Sequence, residues 1–273
     1  MPAVVVLVVI AGLVFGSFLN VCIYRIPRGL SVVLPSSRCP DCGRVIRPWE
    51  NIPLLSFLLQ RGRCRGCGRP ISWVYPTVEA MTAVCFGLLY WKFGLAWPFF
   101  LNAAFFCLIV ALIFIDLFDR ILPDVLTLGG TVLGFLLSPF QSPEFLHGTG
   151  SVAWGGPIAG SYLNSALGIL FGGGFLWLVA WAYLKLRKIE GMGFGDVKMM
   201  AMIGAFLGWQ FSWLTILLGS LLGALLGGFY IWLAGQNRRY ELPFGSFLGL
   251  AAMVVTLAGP AFVHWYIGFF LGS

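Results

Sequence analysis

Charge is scarce in this chain: 10% of its 273 residues are Asp, Glu, Lys or Arg, while 59% are hydrophobic. A soluble globular domain carries about 25% charged residues, and an apolar excess of this size cannot be buried in one core. The shortage excludes an ordinary soluble fold and points to an all-α polytopic membrane protein. Histidine is scarcer still, with only His147 and His264, and neither has neighbours in sequence that would complete a metal site. Several hydrolase signatures are missing, since the chain has no His-Glu-x-x-His, no Gly-x-Ser-x-Gly and no Walker loop. The stretch Met1–Cys22 lacks a basic leading region and a small-residue cleavage site, and its arginines follow it. It therefore reads as an uncleaved first span rather than a secretory signal.

Apolar runs of about 20 residues can cross a bilayer as helices. They predict about eight transmembrane helices, near 3–23, 77–96, 98–117, 122–140, 161–184, 197–209, 211–234 and 246–270. Seven is the alternative, because 197–209 is short and runs into its neighbour. The chain then divides into a first helix (1–23), a loop (24–76) and a transmembrane bundle (77–273). Nine of the 17 Lys and Arg lie between Arg25 and Arg69, and all but Lys92 fall in or beside the loops 24–76, 118–121, 185–196 and 235–245. By the positive-inside rule these loops face the cytoplasm and the N-terminus lies outside. The net charge of +7 thus reports topology in a lipid bilayer, not affinity for nucleic acid. The segment 141–160 reads as a flexible outer loop with a short interfacial stretch. Glycines recur four apart at Gly12/Gly16, Gly168/Gly172, Gly204/Gly208 and Gly219/Gly223/Gly227, a spacing that reads as close helix packing in lipid.

Four of the seven cysteines stand in the cytoplasmic loop as Cys39-Pro-Asp-Cys42-Gly and Cys64-Arg-Gly-Cys67-Gly, with 21 residues between the pairs. The spacing is that of a small zinc-ribbon-like site with four thiolate ligands and no open position, so a structural Zn²⁺ is expected. Two disulfides are the alternative, disfavoured by a reducing cytoplasm. Cys22, Cys85 and Cys107 lie in spans and read as ordinary buried thiols.

Of the ten acids, Asp41, Glu50, Glu144, Glu190 and Glu241 read as solvated loop residues. Glu79 opens the second span, either as a charge favoured by the helix dipole or as a site residue. The other four concentrate at the inner ends of spans. Asp116, Asp119 and Asp124 lie in Phe114-Ile-Asp-Leu-Phe-Asp-Arg-Ile-Leu-Pro-Asp124, and Asp196 lies in Gly191-Met-Gly-Phe-Gly-Asp-Val-Lys198. Asp116 and Asp196 come to the same depth from different helices. The glycines Gly193 and Gly195 permit a non-helical approach of a bound peptide backbone. Two membrane carboxylates at one depth suit either of two functions: a proton relay in a proton-coupled transporter, or an aspartyl dyad that activates water against a peptide bond.

These motifs together resemble the bacterial type IV prepilin peptidases (prepilin leader peptidase/N-methyltransferases), which are GxGD-type intramembrane aspartyl proteases. The resemblance is carried by Gly193-Phe-Gly-Asp196, by Gly16-Ser-Phe-Leu-Asn-Val21 with Tyr24-Arg-Ile-Pro27, and by both cysteine pairs. Arg47-Pro-Trp-Glu-Asn-Ile-Pro53, Tyr75-Pro76 with Glu79, Leu122-Pro-Asp124 and Pro243-Phe-Gly245 extend it along the chain. It implies that Asp116 and Asp196 are catalytic, with Asp119, Asp124, Gly193, Gly195, Lys198 and Glu79 in support. It also implies a prepilin or pseudopilin substrate, cut after a glycine at the cytoplasmic face of the bacterial inner membrane. The new N-terminus would then be methylated from S-adenosylmethionine. The family's Pro-Phe-Gly-Pro reads Pro243-Phe-Gly-Ser246 here, and the 80 residues from Asp116 to Asp196 are a long spacing.

Overall fold

A computed structural model describes residues 2–146, 156–188, 193–229 and 243–271. Among these the structure is helical throughout its ordered elements, with no strand and only two isolated bridges. Five helices are long and apolar enough to cross a membrane: Pro2–Arg28, Trp97–Asp119, Ile158–Arg187, Phe194–Gly227 and Phe244–Tyr266. The chain is a polytopic membrane protein. Asp124–Phe140 is a shorter apolar helix, and Val74–Phe93, which carries Glu79 and Lys92, completes the set of helices at the predicted spans.

The chain forms two compact units, Met1–Leu95 and Ala96–Ser273. In the first, α1 (Pro2–Arg25) packs along α3 (Val74–Phe93), with the short α2 (Leu55–Leu59) in the loop between them. Gly12 and Gly16 set the approach of α1 to α3. A Cβ on Gly12 would lie 2.7 Å from Ala83 Cα, and one on Gly16 2.7 Å from Glu79 Cα. Close helix packing is thus what these glycines do.

The second unit is built on α4 (Trp97–Asp119). Its apolar residues cover all sides, the pattern of a helix surrounded by others; Phe105, Phe106, Ile109, Leu112 and Ile115 are fully buried. Helix α4 packs on α5 (Asp124–Leu137) and α9 (Phe244–Leu271), while α8 (Phe194–Leu222) packs on α5, α9, α7 (Gly156–Arg187) and the four-residue α6 (Pro143–Leu146). Phe105 of α4 stacks on Phe206 of α8 at 4.5 Å, and α9 packs on both α4 and α8. Gly168 of α7 and Gly204 of α8 face each other so closely that a Cβ on either would strike the other's backbone carbonyl.

Helix α8 contains a break. Gly208 has φ 79° and ψ 176° inside it, a backbone conformation strained for any residue with a side chain. The carbonyls near the break find partners inside the protein, as a membrane interior requires. Ser165 Oγ donates to Ala205 O at 2.8 Å, Gln141 Nε2 to Phe206 O at 3.0 Å and Ser212 Oγ to Gly208 O at 2.8 Å. The predicted spans 197–209 and 211–234 correspond to the two halves of this broken helix, and residues 230–234 lie outside the described ones.

The reading of 141–160 as a flexible outer loop needs correction at its start. Gln141 and Phe145 are buried, Gln141 is hydrogen-bonded to Asn102 at 2.8 Å, and Phe145 meets Phe211 edge-on at 5.0 Å. A glutamine can enter this apolar interior because Asn102 and the Phe206 carbonyl satisfy its amide. Helix α7 also begins at Gly156, earlier than predicted. His147 and residues 148–155 lie outside the described residues.

Candidate functional site

Asp116 lies in the last turn of α4, four residues before Arg120, whose left-handed φ of 54° ends the helix. The Arg120 N–H donates to the Asp116 carbonyl at 3.1 Å. The negative end of a helix dipole opposes a carboxylate there, so Asp116 needs compensation from elsewhere. The start of α9 supplies it. The Ser246 N–H donates to Asp116 Oδ2 at 2.7 Å and the Ser246 hydroxyl lies 2.9 Å from the same oxygen. Asp196 sits in the first turn of α8, where the dipole favours an acid. Gly193 caps that helix in an extended conformation, and its carbonyl accepts the Asp196 N–H at 3.1 Å.

Gly245 shows how near the two carboxyls come. A Cβ built on Gly245 would lie 3.0 Å from Asp116 Oδ2 and 3.1 Å from Asp196 Oδ1. Those oxygens are therefore separated by no more than the sum of these two distances. The same point lies 3.0 Å from Leu122 Cδ1, so Leu122 closes one side of the site. Asp116 and Asp196 are 6% and 8% exposed, which leaves them too little water to screen each other. Two carboxyls that face one point suit general acid–base chemistry, one group accepting a proton while the other gives one.

The predicted supporting residues divide. Lys198 bonds Asp124 at 2.6 Å, tying the first turn of α5 to α8 beside Asp196, and its ammonium lies 5.1 Å over the Phe194 ring. Asp119 is the last residue of α4 and half-buried. Gly195 is helical rather than an open approach for a peptide: a Cβ on it would lie 3.0 Å from Leu122 Cβ, so its lack of a side chain lets α8 close on the α4–α5 connection. Glu79 corrects another expectation. Helix α3 begins at Val74, which leaves Glu79 beyond the first turn and removes the dipole reading. Its buried carboxylate in the first unit accepts the Leu54 N–H at 2.8 Å, where Leu54 itself has a φ of 59°. Gly245 and Ser246 were missed as site residues; the Pro243-Phe-Gly245 motif carried the signal.

The cysteine loop of the first unit repeats one small motif twice. Cys39 N–H bonds Arg44 O and Gly43 N–H bonds Cys39 O, each at 2.9 Å; Cys64 with Arg69 O and Gly68 with Cys64 O repeat this at the same distances. Gly43 and Gly68 have φ of 69° and 72°, the left-handed turn that brings each second cysteine beside its first. All four sulfurs lie within 4.8 Å of one another, and Cys39 Sγ is 4.0 Å from Cys67 Sγ. Sulfurs about 3.8 Å apart are what a shared tetrahedral ion with metal–sulfur distances near 2.3 Å requires, so this cluster can hold a metal. The backbone N–H groups of Cys67 and Gly66 aim at Cys64 Sγ and hold its thiol down at about 7, while desolvation and the neighbouring thiols push Cys67 up to about 11. Four thiolates together therefore call for a cation between them.

Two acids read as solvated are cross-links in this loop. Asp41 of the first knuckle pairs with Arg69 of the second. Glu50 caps Pro48–Glu50 by accepting the Arg47 N–H at 3.1 Å and pairs with Arg44 at 2.8 Å. The Arg47 N–H and then the Arg44 guanidinium hold the Glu50 carboxyl below its ordinary value.

Comparison with known proteins matches both halves of the chain. A model described as "Bacterial Peptidase A24 N-terminal domain" matches residues 10–93, and one described as "Type IV leader peptidase family" matches residues 103–228. Similar proteins named prepilin leader peptidase/N-methyltransferase occur in Pseudomonas aeruginosa, at 36% identity over 98% of this chain and 94% of the relative. Another occurs in Aeromonas hydrophila, at 35% identity over 97% and 94%. A third, from Legionella pneumophila, is 32% identical over 95% and 93%. These names do not favour the transporter alternative. No solved structure matches.

Proposed function

Since the chain belongs to the type IV leader peptidase family, we propose that it is a membrane aspartyl endopeptidase that removes the short basic leader of prepilins or pseudopilins and then methylates the new N-terminus. The observation that carries this reading is the approach of Asp116 Oδ2 and Asp196 Oδ1 to one point beside Gly245. One carboxylate takes a proton from water as the water oxygen bonds to the scissile carbonyl carbon. The other carboxylic acid gives its proton to the carbonyl oxygen. As the resulting diol collapses, one of its hydroxyl protons returns to the second aspartate, the first gives its proton to the leaving nitrogen, and the C–N bond breaks. Both aspartates end in their starting states.

In this reading the chain spans the bacterial inner membrane, with its N-terminus outside and its dyad at the cytoplasmic boundary. The basic clusters support that orientation. The apolar helix of the substrate stays in the bilayer and presents its leader at that boundary. In the second reaction S-adenosylmethionine, when bound, would supply the methyl group taken up by the freed amine. Cys39, Cys42, Cys64 and Cys67 would hold a structural Zn²⁺, which supplies a rigid tie between the two knuckles. Lys198 and Asp124 support the dyad by fixing α8 against α5.

Purified protein in lipid vesicles, given a prepilin and methyl-labelled S-adenosylmethionine, is expected to yield a shortened pilin with label on its N-terminus. An unshortened prepilin would overturn the peptidase reading, and a shortened but unlabelled one the methyltransferase half. Gly245→Ala is expected to lower the cleavage rate by about a hundredfold, because its methyl group would press on both carboxyls and displace the attacking water. Vesicle assays of that variant at saturating prepilin check this.

A further inference from the structure

We infer that Ser246 is a positioning residue that makes Asp116 the base of the pair and leaves the shared proton on Asp196. The inference deepens the peptidase reading and rests on it. Ser246 is the third residue of α9 and 3% exposed. Its N–H points at Asp116 Oδ2 from 2.7 Å, and its hydroxyl is 2.9 Å from the same oxygen. Two donors on one carboxyl oxygen stabilise the ionised form. Among the described residues no side chain or backbone group donates to the Asp196 carboxyl. The pair is therefore asymmetric before any substrate arrives, and the proton it holds belongs on the member without donors.

The serine hydroxyl also suits the step after water attack. It has a second acceptor, the Ile113 carbonyl, at 3.2 Å. While Asp116 is ionised, the hydroxyl donates to Oδ2. Once Asp116 has taken the water proton, the hydroxyl can accept that proton's hydrogen bond and turn its own hydrogen to Ile113 O. No buried polar group loses a partner in either state, so neither state incurs a desolvation penalty. Proton transfer then needs only rotation of one hydroxyl.

The test compares full-length wild type, Ser246→Ala and Ser246→Thr in lipid vesicles, with Asp116→Asn as the inactive reference. Alanine keeps the N–H and removes the hydroxyl. Its kcat for prepilin cleavage is expected to fall about tenfold with KM unchanged, the loss of one hydrogen bond to a charged group. Threonine is expected to keep kcat within about threefold of wild type, because it restores the hydroxyl. Alanine with wild-type kcat, or with raised KM at unchanged kcat, would overturn the role of Ser246 and leave the dyad standing. Wild type that does not cleave, or Asp116→Asn that does, would instead overturn the peptidase reading itself.

Discussion

Asp116→Asn and Asp196→Asn are each expected to lower prepilin cleavage by about 10²- to 10⁴-fold, the usual range for loss of a general acid or base. Asparagine has nearly the same shape and can still accept at its amide oxygen, so the Ser246 N–H keeps a partner in the Asp116 variant. What is lost is the ability to take or give a proton. The two losses should not multiply in the double variant, because the two acids act on one water and one carbonyl as a unit. Full cleavage activity in either single variant would remove that residue from the chemistry. Methylation of a pilin already shortened breaks no peptide bond and is expected to continue in both, which would separate lost proton transfer from lost folding.

Cys39→Ser or Cys64→Ser is expected to reduce bound zinc from about one ion per chain to a small fraction of that. Structural zinc sites in small peptides are worth about 10–16 kcal/mol at neutral pH, and that energy is folding energy. Most of the order in the loop around the knuckles would then depend on the ion. Its exposed cross-link, Asp41 with Arg69, contributes little by itself, about 0–1 kcal/mol. Limited proteolysis should accordingly cut the cysteine variants within residues 38–70, where arginines are frequent, and spare the wild type. Cys107→Ser, outside the cluster, should keep its zinc. Elemental analysis of the purified wild type that finds no zinc would overturn the assignment.

A good deal of this was legible beforehand. The apolar runs placed the helices, because a bilayer imposes length and composition on anything that crosses it. The two Cys-x-x-Cys-Gly pairs announced a four-sulfur cluster because a knuckle is local: its hydrogen bonds span six residues. Gly12, Gly16, Gly168, Gly172 and Gly204 marked close helix contacts for a similar reason, since backbones approach only where side chains are absent, whereas Gly208 marks the break in α8. Other assignments depended on distance in three dimensions. Glu79 reads as either a helix-start charge or a site residue, and only the start of α3 at Val74 removes the first, while Glu50 reads as solvated although Arg44 and the Arg47 N–H surround it. Gln141 looked like part of an open loop because its partners are 39 and 65 residues away.

The carboxylate pair draws the same line most clearly. Sequence by itself determined that the chain is a helical membrane protein, and that Asp116 and Asp196 stand at helix ends among residues that make such acids costly. It also determined the four sulfurs, since their spacing is set within short turns. Only the tertiary structure decided that Asp116 and Asp196 meet at Gly245, and that Ser246, 130 residues from Asp116, turns its donors onto one of them. Helix crossing fixes those contacts, and crossing depends on packed surfaces contributed by α4, α8 and α9 together. No local run of residues encodes it.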